Sequence, residues 1–192
     1  VINPFVSSTS DAFNRLKPGY EAPVCIVTSL GKAVNETSRN RTVLAGLIRD
    51  PKNPLSTRFE LRSPNPKSNT YLVIAASYMA ILDGIKAVLG QEKGTKELEK
   101  AISKKHGEEV FYLEKDREYR SEANVFDDYT QDERDHYFGH APATVWENIK
   151  AFEKYPEKMK IFSEGNVFSE IVLKSYTAQT VSQWKTELHD RI

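Results

Sequence analysis

The stretch TRFELRSPNPKSNTYLVIAASYMAILDGIKAVLG, residues 57–90, changes its hydrophobic period from two to about 3.6 within one short span. From Thr57 to Ser63 the residues alternate, with Phe59 and Leu61 on one side and Arg58, Glu60 and Arg62 on the other. That is the pattern of a β-strand. Pro64 and Pro66 stop it. From Asn69 to Leu89, Leu72, Ala75, Ala76, Met79 and Leu82 form one helical stripe, and Ile74, Tyr78, Ile81, Ile85 and Val88 form its neighbour. Together they cover most of the circumference, which predicts a helix buried all round. Gly90 stands where a C-terminal cap belongs. A strand followed by a long buried helix sets the fold class as α+β.

Working outward, two apolar runs precede this stretch. Pro23 to Thr28 reads as a buried strand, and Thr42 to Ile48 as a second, weakened by Gly46. Residues 1–21 read as loop, with a type II turn at Pro18-Gly19. The second half is mainly helical. Gln91 to Gly107 is rich in lysine and glutamate and reads as a short exposed helix, whereas Glu108 to Val125 fits no period. Thr130 with Glu133, and Thr144 with Glu147, form possible capping boxes. Val145, Ile149 and Phe152 would then turn inward. A last helix runs from about Ser169 to His189, with Ile171, Val172, Val181, Trp184 and Leu188 available for burial.

The 192 residues are 39% hydrophobic and 28% charged, a globular balance. Lys plus Arg equals Asp plus Glu at 27, so no global field gathers nucleic acid or anionic lipid. No apolar run is read as long enough to cross a bilayer, and no signal peptide opens the chain. Cys25 stands alone, which excludes an internal disulfide framework and points to the cytoplasm. The opening Val1-Ile2-Asn3-Pro4-Phe5 lacks a methionine and reads either as a chain whose terminus was removed or as an excised piece of something longer.

Three constellations could carry chemistry. A strand places Arg58, Glu60 and Arg62 roughly 6–7 Å apart on one face. This is either a solvated edge or a polar pocket in which Glu60 binds magnesium and the arginines face phosphate or carboxylate. Arg41, in Arg39-Asn40-Arg41-Thr42, could grip a phosphoryl group or simply sit in a surface loop. Arg15 and Glu21 flank the Pro18-Gly19 turn, where a carboxylate could act from a mobile lid. His136 and His140 among acidic residues, the glycosylation patterns at Asn35 and Asn40, and a Phe111-Tyr112 aromatic platform are weaker readings.

The order of these pieces carries a resemblance. Asn14-Arg15-Leu16-Lys17-Pro18-Gly19-Tyr20-Glu21-Ala22-Pro23 is followed by Asn40-Arg41-Thr42. Arg58-Phe59-Glu60-Leu61-Arg62-Ser63-Pro64-Asn65-Pro66, Asn69-Thr70-Tyr71-Leu72 and Leu82-Asp83-Gly84-Ile85-Lys86 complete the series. Together they resemble the C-terminal part of the catalytic domain of glutamine synthetase, in residues 1–90, with a helical extension in residues 91–192.

The resemblance implies an ATP-dependent ligase that joins glutamate and ammonia through a γ-glutamyl phosphate, with Mg2+ or Mn2+. It implies that Arg15, Glu21 and Arg62 serve the substrate, with Glu21 on a flap that helps deprotonate ammonium. Arg41 would stabilise the phosphoryl group, Arg41, Arg49 and Arg58 would lie at ATP, and Glu60 would bind metal. Two departures accompany it: Arg49 lies further along than the family's next arginine, and Asn65 replaces an aspartate. The family's N-terminal domain and earlier metal-binding strands have no counterpart in these residues, so the chain is expected to be inactive alone. The full-length protein is expected to be a homo-oligomer that binds neither nucleic acid nor membrane. The alternative is a helical assembly module with inherited motifs, which an exposed apolar stripe around Trp184 would favour.

Overall fold

The computed structural model describes residues 28–29, 40, 43, 45–61, 64, 68–110, 113–138 and 150–189. The predicted strand at Pro23 to Thr28 lies outside them except for its last residue. So do Thr144, Glu147, Val145, Ile149, Phe111, Tyr112 and His140. The fold is α+β. Three strands, β1 (Thr28–Ser29), β2 (Ala45–Ile48) and β3 (Arg58–Leu61), lie in that order. β1 is parallel to β2, and β2 antiparallel to β3. The helices are α1 (Thr70–Val88), α2 (Thr95–Ile102), α3 (Gln131–Tyr137), α4 (Ala151–Lys154), α5 (Pro156–Ser163) and α6 (Glu170–His189).

The chain forms two compact units, each drawing on both sides of residue 90. The first contains α1, α4, α5 and α6. The Asn69 side chain accepts hydrogen bonds from the Tyr71 and Leu72 amides and starts α1. Gly90, with φ of 82°, follows its C-cap and takes the left-handed conformation predicted for it. Ala76 and Met79 pack with Phe152, Phe162 and Phe168 in this unit's core, flanked by Leu72, Ala75, Leu82, Leu173 and Tyr176. Phe162 meets Phe168 edge to face at 5.6 Å. Both charged side chains of α1 pair with neighbours, Asp83 with Lys158 at 3.2 Å and Lys86 with Glu164 at 2.5 Å.

α1 departs from expectation in its burial. Its first stripe is packed, but Tyr71, Ile74, Tyr78, Ile81 and Ile85 are exposed. The buried cluster takes only the Ala76–Met79 side of this helix, so its second apolar stripe stays uncovered. By length and composition alone, α1 would also suffice to span a bilayer, against the sequence reading. The last helix differs too. Ile171 and Val172 are exposed, while Leu173 and Tyr176 pack on the core and Thr180 is buried. Thr180 can sit on the inward stripe because its hydroxyl donates to the Tyr176 carbonyl at 2.7 Å. The side chains of Trp184 and Leu188 lie outside the described residues.

The second unit contains the sheet, α2 and α3. Val43, Val125 and Phe138 form its buried cluster, against Phe126, Tyr129 and Tyr137. α3 opens with the predicted capping box. The Glu133 amide donates to Thr130 Oγ1 at 3.2 Å, and the Thr130 amide donates to Glu133 Oε2 at 2.8 Å. Arg134 then ties the preceding turn, donating to the Tyr129 carbonyl at 2.7 Å while lying over the Phe126 ring. α2 is largely exposed, as its charge suggests, but the segment after it is not: Lys104 is only 2% exposed. Its ammonium donates to the carbonyls of Lys105, Lys115 and Arg117 at 3.2, 2.8 and 2.6 Å. Those bonds meet the cost of burying the charge.

Candidate functional site

The candidate site is built on the hairpin of β2 and β3. Pairing sets Ala45 opposite Leu61, Gly46 opposite Glu60, Leu47 opposite Phe59, and Ile48 opposite Arg58. Directly paired residues share a face, so Gly46, Glu60, Ile48 and Arg58 lie on one side. Gly46, which weakened the strand assignment, is buried in β2 and is the residue paired with Glu60. Glu60 is partly buried and Arg58 exposed. Arg49 follows Ile48, the partner of Arg58, so both arginines lie at the same end of the hairpin.

The connection between the strands satisfies its own backbone. The Lys52 amide donates to Asp50 Oδ1 at 2.9 Å, and Asn53 to the Asp50 carbonyl at 3.1 Å. Ser56 and Thr57 close a 3-10 turn, and Arg58 Nη1 donates to the Ser56 carbonyl at 3.1 Å. This turn therefore fixes both the hairpin end and part of the Arg58 guanidinium. The opposite face is only partly covered, for Leu47 is buried while its partner Phe59 is 68% exposed. β3 is an edge strand, hydrogen-bonded on one side only within the described sheet.

Asn40, neighbour of the candidate Arg41, is held from a distance. Its Nδ2 donates to the Ala123 carbonyl at 2.5 Å and to the Ser121 carbonyl at 3.3 Å. The segment that showed no period thus anchors a motif more than eighty residues before it. The side chain alone gave no sign of this, since asparagine in a loop usually bonds locally.

Of the site residues expected from sequence, the structure brings Arg49, Arg58 and Glu60 to one hairpin. Arg15, Glu21, Arg41 and Arg62 lie outside the described residues. Two guanidiniums and one carboxylate suit a polyanion carrying a divalent cation. Glu60 is a hard oxygen donor of the right kind. Among the described residues, no group of three or more His, Cys, Asp or Glu could hold a metal ion. One carboxylate supplies one ligand where magnesium usually takes several oxygens, so these residues fit such an ion only as part of a larger set.

Comparison with known proteins adds an independent line. Residues 1–114 match the family model for the glutamine synthetase catalytic domain. The chain is 36% identical over 138 residues to a glutamine synthetase of Rhizobium meliloti (strain 1021), covering 66% of this chain and 28% of that protein. It is 32% identical over 172 residues to one of Cereibacter sphaeroides, covering 83% and 33%. With one of Salmonella typhimurium it shares 39% identity over 85 residues, covering 44% and 16%. The chain spans a third or less of the length of these relatives.

Proposed function

Since the chain belongs to the glutamine synthetase catalytic-domain family, we propose that it supplies the nucleotide-facing part of a site that makes glutamine from glutamate, ammonia and ATP. The observation that carries this reading is the hairpin, which sets Glu60 and Arg58 on one face with Arg49 at the same end. In the proposed chemistry the glutamate side-chain carboxylate attacks the terminal phosphorus of ATP and ADP leaves. Ammonia then displaces phosphate from the acyl phosphate.

The residues take the following parts. Arg49 and Arg58 neutralise ATP phosphates, and Arg41 meets the phosphoryl group as charge builds on its oxygens. Arg15 and Arg62 hold glutamate carboxylates, and Glu21 takes a proton from ammonium. Glu60 contributes one ligand to a magnesium or manganese ion, which when bound would neutralise phosphate charge. The chain alone is inactive in this proposal, because that ion needs ligands beyond Glu60. Cytoplasmic location and oligomerisation of the full-length protein belong to the same reading.

Calorimetric titration with Mg-ATP, comparing the wild type with Glu60→Gln and Arg58→Ala, tests it. Both variants should bind more weakly, and the purified chain should show no synthetase turnover. Equal binding by all three proteins would remove the hairpin from the nucleotide site.

A further inference from the structure

Asn40 and Val43 flank, in sequence, the arginine to which the proposed chemistry gives the phosphoryl group, and one distant segment fixes them both. The two N–H groups of the Asn40 amide meet two carbonyls there, that of Ala123 at 2.5 Å and that of Ser121 at 3.3 Å. Val43 is buried with Val125 and Phe138. The segment is itself tied down. The Ala123 amide donates to Oγ of the buried Ser121 at 3.1 Å. Asn124 Oδ1 accepts from the Phe126 amide at 3.0 Å, and the Asn124 amide donates to Asp128 Oδ2 at 2.8 Å. Arg134 reaches back from α3 to the Val125 carbonyl at 3.3 Å. The carbonyls that receive Asn40 therefore belong to a turn whose shape is set by its own bonds.

Only Arg41 and Thr42 separate the two fixed positions in sequence. Holding a chain at two points so close together removes most of its backbone freedom. A guanidinium that stabilises charge as it builds gains from this, because it need not reorganise when the charge appears. The anchoring segment also lies beyond residues 1–114, the stretch matched by the catalytic-domain family, although the motif it holds lies within that stretch. We propose that Asn40, held by the Ser121–Ala123 turn, is a positioning residue for Arg41 and aims its guanidinium at the terminal phosphate of the nucleotide. This role rests on the phosphoryl contact proposed above for Arg41. The competing account is that the Asn40 bonds only fasten the fold. Their removal would then lower stability and leave the choice between nucleotides unchanged.

Calorimetric titration of the chain with Mg-ATP and with Mg-ADP separates the two accounts, since only ATP carries the terminal phosphate. The quantity read is the ratio of the two dissociation constants. Arg41→Ala should reduce the preference for ATP about tenfold or more, the loss of one hydrogen bond to a charged group. Asn40→Ala should reduce it about threefold or more, the scale of one neutral hydrogen bond. Ser121→Ala, which loosens the turn without altering residues 40–43, should shift it in the same direction and serves if Asn40→Ala fails to fold. In an Arg41→Ala background neither change should alter the ratio further, because the group they position is gone. Circular dichroism confirms that each variant folds. The proposal is overturned if the folded Asn40 and Ser121 variants keep the wild-type ratio, or shift it equally with and without Arg41. It is equally overturned if Arg41→Ala keeps the wild-type preference, or if the wild type binds neither nucleotide. Arg58→Ala and Glu60→Gln read the hairpin through the overall affinity for Mg-ATP, so the two readings fail in different quantities.

Discussion

Lys104→Met should be among the most damaging single changes in the sheet-containing unit. Lys104 is 2% exposed, and its ammonium donates to three carbonyls and lies 5.7 Å from the Tyr119 ring centroid. Methionine has nearly the same length, so packing is conserved and polarity is what changes. Two of the three acceptors keep a backbone partner: the Lys115 carbonyl accepts from Gly107 at 2.9 Å, and that of Lys105 accepts from Glu108 at 3.3 Å. The Arg117 carbonyl loses the shortest of the three bonds, at 2.6 Å. Charge-assisted bonds contribute about 1.5–3 kcal/mol each, but removing a buried charge also removes its desolvation cost. The balance is a loss of about 2–4 kcal/mol. Hydrogen exchange at the Gly107 and Glu118 amides, which bond the Lys115 and Tyr137 carbonyls, reads this loss where it occurs. Protection unchanged in the variant, with a urea midpoint equal to that of the wild type, would show that Lys104 does not fasten this segment.

Other outcomes follow from the same structure. Asn40→Asp places a carboxylate against the carbonyls of Ser121 and Ala123, and should cost about 2–3 kcal/mol, more than Asn40→Ala; thermal melting of both variants checks the order. Phe162→Ala should destabilise the first unit by about 3–5 kcal/mol, since Phe162 is fully buried against Phe168. A shift below about 1 kcal/mol in denaturation would contradict that packing. The Glu133 carboxyl is held below the usual carboxylate range by hydrogen bonds from the Thr130 amide and hydroxyl. Its contribution is therefore present above the unfolded-state value and lost as pH falls through the lower folded-state value. Exchange at the Arg134 amide, which bonds the Thr130 carbonyl, should quicken in acid beyond its intrinsic rate, and Thr130→Ala should flatten that dependence.

Local signals in the sequence were legible where the chain obeys one period. The limits of α1 follow from Asn69 and Gly90, and the capping box of α3 from Thr130 and Glu133, because each cap depends on residues within a few positions of it. The alternation of β3 likewise revealed which residues share the face of Glu60. Burial was less legible, since it depends on what the rest of the fold supplies. The second stripe of α1 is as apolar as the first yet lies exposed, and Ile171 is 80% exposed while Thr180 is buried. Long-range polar contacts left no trace at all. Nothing beside Lys104 or Asn40 distinguishes them from surface residues, and their partners are carbonyls, which every residue has.

The bond between Asn40 and Ala123 also bears on the order of events during synthesis. Its two ends are 83 residues apart, and the residues between them include α1, which belongs to the other unit. At roughly 5–20 residues per second, a ribosome needs on the order of 4–17 seconds to make that interval. Throughout it the Asn40 motif has no Ala123 carbonyl to hold, and in its later part, once Val88 has been added, the exposed apolar stripe of α1 has already been made. Neither unit is a continuous segment, so before residue 141 is made a nascent chain passes through a stage at which both are incomplete. Chaperone capture should be greatest in that window, and ribosome-bound chains stalled shortly before residue 121 are the ones in which to look for it.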